Sequence, residues 1–196
     1  MTRVYFVSHA QPEHDWEEDR TRPLTEEGKK DSAIVLEFLK DKKIDAFYCS
    51  PYKRSMDTIT EAADFFTKEI ITDERLRERE KGLDGNNHGM FRKRWADHNY
   101  HEEGGESIAM VQKRNIEALN EILSDNTDKD IVIGTHGTAL STILNFYDNN
   151  FGCEDFLRII DWMPYIIELD FESSCNEMES ECPSYSFKLI GKQEHC

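Results

Sequence analysis

The chain has 196 residues and a formal net charge of −16, from 40 acidic against 24 basic side chains. That length suits one α/β domain with a sizeable core. The charge disfavours nucleic acid and anionic membranes as partners, so any pocket for a phosphorylated ligand must gather its cations locally.

No run of about twenty apolar residues is present to span a bilayer. Met1-Thr2-Arg3 leads straight into the first strand, and no signal peptide is expected ahead of it. Five scattered cysteines, Cys49, Cys153, Cys175, Cys182 and Cys196, indicate reduced thiols and a cytoplasmic protein. Cys175, Cys182, His195 and Cys196 lack the usual zinc spacing, and neither a metal nor a cofactor is expected.

Val4-Tyr5-Phe6-Val7-Ser8-His9-Ala10 reads as a strand near 2–8, apolar on both faces and ending in a histidine. After a polar stretch to Arg22, Pro23-Leu24-Thr25-Glu26-Glu27-Gly28 opens a helix. Thr25 caps it, and Glu26 and Glu27 meet the positive end of its dipole. Ile34 with Phe38, and Val35 with Leu39, give that helix a buried face. Ile44 to Cys49 reads as a second strand. Ser50-Pro51 reads as an N-cap followed by proline at the first helical position, and the helix runs on through Met56, Ile59, Ala63 and Phe66. A short strand is expected near Glu69 to Thr72.

The polar region 80–104 carries Gly82, Gly85, Gly89, Gly104 and Gly105 and reads as a loop and helical cap, with one short helix around Met90 to Trp95. Ser107 begins a longer helix with Ile108, Val111, Leu119 and Ile122 on one side. A strand over 130–134 leads to Thr135-His136-Gly137. A helix after Thr138 and late strands near 164–171 and 185–190 complete the chain. The alternation predicts a single three-layer α/β/α domain over 1–196, around a mostly parallel sheet.

In such sheets ligands bind just beyond the carboxyl ends of the strands, which places His9 and His136 across one pocket. One imidazole attacks as nucleophile while the other stabilises charge. Arg54 falls in the first turn of a helix directly after a strand. Backbone amides there favour an anion, and a guanidinium adds a planar donor fork for phosphate. Glu78 lies among cations in Leu76-Arg77-Glu78-Arg79-Glu80-Lys81-Gly82.

The order strand-His, Pro-Leu-Thr-x-x-Gly, Ser-Pro-x-x-Arg-x-x-x-Thr, Leu-x-Glu-x-x-x-Gly, Gly-Gly-Glu-Ser and strand-Thr-His-Gly resembles the histidine phosphatase superfamily, also called phosphoglycerate mutase-like, along nearly the whole chain. The resemblance implies the phosphoglycerate mutase-like fold and a phosphohistidine mechanism. His9 takes the phosphoryl group, His136 contacts its oxygens, Arg54 binds it with Ser8 and Gly137 alongside, and Glu78 protonates the leaving oxygen. Glu80 is the rival acid, and the spacing to Gly82 favours Glu78. The reaction implied is hydrolysis of a small phosphorylated metabolite. The alternatives are a phosphoglycerate mutase, for which the chain is short, and a catalytically impaired module that only binds phosphorylated ligands. A homodimer is compatible with the sequence but not legible in it.

The chemistry agrees with these roles. A neutral imidazole attacks phosphorus without a separate base. A loose in-line transition state needs mainly positioning and cations. A general acid must hold its proton near neutrality, so Arg77 and Arg79 are expected to point elsewhere or to contact substrate.

One departure is serious. The family pattern is Arg-His-Gly, and this chain has Ser8-His9-Ala10. Alanine suits ordinary dihedrals. Serine removes a permanent charge and a bidentate donor, and losing one transition-state donor costs about 3 kcal/mol, on the order of a hundredfold in rate. Arg20, Arg22, Arg77 and Arg79 are the nearest cations that could compensate. His14, His88, His98 and His101 read as solvated loop residues. Phe91 and Trp95 read as the packing face of a short helix, and Trp16 either folds over the pocket mouth or packs beneath its loop.

Overall fold

The computed structural model describes residues 1–83, 89–172 and 189–191. Six strands form one sheet: β1 (Thr2–Ser8), β2 (Ala46–Cys49), β3 (Ile70–Thr72), β4 (Asp130–Thr135), β5 (Tyr165–Phe171) and β6 (Leu189–Gly191). Their order is β3-β2-β4-β1-β5-β6. The four strands from β3 to β1 run parallel, and β5 and β6 each run antiparallel to their inner neighbour.

The apolar runs are continuous because both faces are covered. Val4 and Phe6 of β1 pack on one side with Ile131, Ile133, Ile167 and Leu169. Helices α4 (Ile108–Asp125), α5 (Gly137–Tyr147) and α6 (Cys153–Ile159) cover that face, with Trp95 of α3 (Met90–Ala96). Tyr5 and Val7 point to the other side, toward α1 (Glu26–Leu39) and α2 (Lys53–Phe65). The result is the three-layer arrangement expected. Among the described residues no helix is long and apolar enough to cross a membrane.

The caps read from sequence at two helices are present. Thr25 Oγ1 accepts from Gly28 N at 2.9 Å, and Ser107 Oγ accepts from Met110 N at 3.2 Å. On α1, Val35 and Leu39 are fully buried, while Ile34 and Phe38 are only half-buried. Several boundaries differ from expectation. Helix α2 starts at Lys53 rather than Pro51, with Tyr52 extended at its N-cap. Ser50 instead closes a turn, its hydroxyl accepting from Tyr52 N at 3.2 Å, since the residue before a proline avoids helical dihedrals. Strand β2 begins at Ala46 and helix α5 already at Gly137; of the strand expected near 185–190, Leu189–Gly191 is described as β6 and residues 185–188 lie outside the described residues. Helix α6 had no separate sequence signal. His88, Gly85, Cys175, Cys182, His195 and Cys196 lie outside the described residues.

Candidate active site

Strands β1 and β4 are parallel neighbours with Ser8 opposite Thr135, so His9 and His136 leave the sheet side by side at its carboxyl edge. Their rings meet with centroids 5.2 Å apart and planes at 66°. His9 Nδ1 lies 2.8 Å from the Ala10 carbonyl oxygen. A carbonyl only accepts, so Nδ1 carries the hydrogen and Nε2 keeps the lone pair. Burial, and then the Arg54 guanidinium, press the His9 pKa down to about 3. The imidazole is therefore neutral at physiological pH.

Two other sequence motifs converge on the loop after His9. Thr58 Oγ1 accepts from Ala10 N at 2.9 Å. Thr25 N donates to the Gln11 carbonyl at 3.0 Å. Gly28 lets that carbonyl approach so closely that a Cβ there would stand 2.2 Å from its oxygen. His136 is wholly buried, with Nε2 2.7 Å from Ser50 Oγ and its ring edge-on to Tyr52 at 5.2 Å. Burial, reinforced by Arg54, holds its pKa well below the ordinary value.

A cavity of about 420 Å³ opens over His9. Ser8 and Gly137 border it, and its charged lining is Arg22, Arg54, Arg79, Lys81, Glu78 and Asp161. Phe91, Ile160 and Met163 supply an apolar wall. Arg54 is almost fully buried. Its Nη1 donates to the Asp19 carbonyl at 2.7 Å and meets the Asp19 carboxylate at 3.3 Å, and the guanidinium lies over the Tyr52 ring. Asp19 is shared: Arg22 stands 3.1 Å and Lys81 3.6 Å from the same carboxylate oxygen. Burial opposes the Asp19 charge, but these three cations outweigh it and hold its pKa below the usual carboxylate range.

Of the four cations expected to replace the missing arginine, Arg22 and Arg79 reach the cavity, and Arg20 and Arg77 do not line it. Arg20 is paired with Glu74, and Arg77 with Glu106 at 2.8 Å and Glu80 at 3.4 Å. Arg79 Nη1 donates to the Glu80 and Glu106 carbonyls, each at 3.0 Å. Among the described residues, buried Arg22 Nε has no hydrogen-bond partner. Glu78 accepts from Arg79 N at 2.7 Å and from Thr138 N at 3.2 Å, which fixes its carboxyl at the rim beside the start of α5. Glu80 is half-exposed, paired with Arg77 and away from the cavity.

The Gly-Gly-Glu-Ser motif holds this segment in place. Glu106 binds Arg77 and Arg114 and accepts from Glu80 N at 3.0 Å. Gly82 has φ +68°, and a Cβ there would come 2.8 Å from the Glu103 carbonyl oxygen.

Smaller expectations divide. His14 is exposed, as read, and also lines the cavity: the Pro12–Leu24 bridge folds its loop back over the site. His98 packs on Trp95, and His101 Nδ1 bonds the Glu102 carbonyl. Trp95 packs with Phe151 and Phe156, whereas Phe91 touches Phe156 and also faces the cavity. Trp16 is exposed and donates to Thr21. Lys81, Asp19 and Asp161 were not singled out from sequence. Lys81 lies inside the Glu78 motif, which could have flagged it; Asp19 and Asp161 carry no local signal.

A family model described as the histidine phosphatase superfamily (branch 1) matches residues 4–159. Phosphoserine phosphatase 1 of Hydrogenobacter thermophilus is 28% identical over 154 residues, covering 69% of this chain and 71% of its own. Among solved structures, Bacillus stearothermophilus YhfR superposes with a TM-score of 0.74 at 22% identity, over 88% of this chain and 93% of that one. A phosphoserine phosphatase from Entamoeba histolytica in complex with phosphoserine gives 0.73 at 21% identity, over 88% and 92%.

Proposed function

Since the chain belongs to the histidine phosphatase superfamily (branch 1), we propose that it is a phosphomonoesterase in which His9 carries the phosphoryl group from a small phosphorylated metabolite to water. One observation carries the reading: a neutral His9, anchored through Nδ1 and packed on the buried His136, in a cavity lined by Arg54 and further cations.

Nε2 attacks phosphorus, the phosphorus–oxygen ester bond breaks, and the leaving oxygen takes the proton of the Glu78 carboxyl. A water then attacks the phosphohistidine, Glu78 takes back a proton, and inorganic phosphate leaves. Arg54 and Arg22 balance the charge on the transferring group, which is the main electrostatic demand of a loose transition state. The amides opening α5 add donors at a helix N-terminus. Asp19 keeps these cations together.

Arg79 and Lys81 line the same cavity in addition to Arg54 and Arg22, which suits a second anionic group on the substrate. Phosphorylated carboxylates are therefore the substrate class, and phosphoserine is the first to test because relatives carry that name. The test is phosphate release from a panel led by phosphoserine, combined with rapid quench using labelled ester. An acid-labile, base-stable adduct should appear on His9 and vanish in His9→Ala. Turnover in which label never reaches His9 would refute the mechanism.

A further inference from the structure

Ser8, Thr135 and Tyr165 form a row across three neighbouring strands. Ser8 is opposite Thr135 of β4 and opposite Tyr165 of β5. Directly paired residues project to one face of a sheet, so the three hydroxyl-bearing side chains share a face at the histidine edge. All three are buried, at 2%, 0% and 1% exposure. Among the described residues, neither Thr135 Oγ1 nor the Tyr165 hydroxyl has a hydrogen-bond partner.

Buried hydroxyls are costly to leave unpaired, and an orphan in a folded core calls for an explanation. Two orphans flanking one serine point to a shared task. Ser8 borders the cavity, and its two strand neighbours Thr135 and Tyr165 do not line it. Ser8 is also where the family pattern carries an arginine.

We propose that the Tyr165 hydroxyl donates to Ser8 Oγ while the Ser8 hydroxyl donates to a phosphoryl oxygen in the cavity, a two-hydroxyl relay that serves in place of the missing guanidinium. The inference rests on the phosphatase reading. A hydroxyl has one hydrogen and two lone pairs, so Ser8 accepts from Tyr165 and donates onward at once. Accepting a hydrogen bond polarises its own O–H and strengthens the bond it donates. The phenol is fit to be the first donor. Burial pushes its pKa above the ordinary value, and the facing Ser8 side chain acts against that. Tyr165 thus keeps its proton at working pH. It acts through Ser8 and is a positioning residue.

A double-mutant cycle tests the relay: Ser8→Ala, Tyr165→Phe and the pair, with vanadate affinity by calorimetry, kcat and KM on the best phosphoester, and Tm. Each single variant should weaken vanadate binding and kcat/KM about tenfold, and the double should lose no more than either single, because both remove one coupled path. Tyr165→Phe should change Tm little, since the ring and its packing stay, while vanadate affinity falls about tenfold. A purely structural tyrosine predicts a lower Tm with vanadate affinity intact. Wild-type vanadate affinity in Tyr165→Phe or in a folded Ser8→Ala, or losses that multiply in the double, would overturn the relay. The parent reading is judged separately by His9→Ala. If wild type neither binds vanadate nor forms phosphohistidine, the phosphatase reading fails and the relay with it.

Discussion

The charge lost with the family arginine is expected to be supplied by Arg22, and Arg22→Gln measures it. Glutamine keeps an N–H donor at similar reach and removes the charge. Arg22 faces the cavity, shares Asp19 with Arg54, and has a buried Nε without a partner. A unit charge about 4 Å from a phosphoryl oxygen contributes ~4 kcal/mol at an effective dielectric of about 20, and removing one transition-state donor costs about 3 kcal/mol. Arg22 is more open than Arg54, with side-chain exposures of 14% and 4%, so solvent takes a share. The expected loss is about 1.5–3 kcal/mol, or roughly ten- to a hundredfold in kcat/KM.

Asp19 keeps Arg54 and Lys81 in the variant. The fold should therefore lose only the ~0–1 kcal/mol of a partly solvated ion pair. The assay is steady-state kinetics with vanadate inhibition and Tm, beside Arg20→Gln as control, since Arg20 lies outside the cavity and binds Glu74. On the same reasoning Ser8→Arg should bring no gain, because Arg22 already holds a charge there and the new chain must enter a buried row beside Tyr165. A folded Arg22→Gln within twofold of wild type, together with a Ser8→Arg that gains tenfold, would refute compensation by Arg22.

Three further outcomes follow from the same geometry. Both histidines have folded pKa values below their ordinary value, so their share of stability is complete above about pH 6.5 and is lost as pH falls from there toward the folded pKa, about 3 for His9. The slope is at most about 1.4 kcal/mol per pH unit for each ring; urea midpoints at several pH values between 5 and 7.5 should show His9→Asn flattening it, and an unchanged slope would reject the neutral His9 ring. Gly28→Ala should lower Tm and, by moving Gln11, lower kcat as well, because the new Cβ meets a backbone oxygen at 2.2 Å; a variant with normal kcat would show that the His9 loop is not held from there. Glu78→Gln should slow turnover of alkyl phosphates by about 10²–10⁴-fold and cost far less with p-nitrophenyl phosphate, whose leaving group needs no proton; equal losses on both substrates would count against Glu78 as the acid.

Much of this architecture is written in short stretches of sequence. Continuous apolar strands, Thr25 and Ser107 at the caps, and the two histidines at strand ends depend on contacts within a few residues or on periodicity, so they can be read locally. Even local reading slipped at Ser50-Pro51, where the serine hydroxyl serves Tyr52 N and His136 rather than a helix start. The roles of the charged residues were less legible. Arg20, Arg22, Arg77 and Arg79 look alike in sequence, yet Arg20 is captured by Glu74 and Arg77 by Glu106, while Arg22 and Arg79 reach the cavity. Tyr165 became relevant only through the antiparallel pairing of β5 that sets it opposite Ser8.

The sequence by itself determined the layered fold and the two histidines at adjoining strand ends, because backbone hydrogen bonding and apolar periodicity act at short range. The tertiary structure alone decided which cations face the cavity and which hydroxyls lie opposite Ser8. Those choices are made by partners such as Glu74, Glu106 and Asp19, and by strand neighbours, that lie far apart in the chain and meet only when the sheet closes around β1.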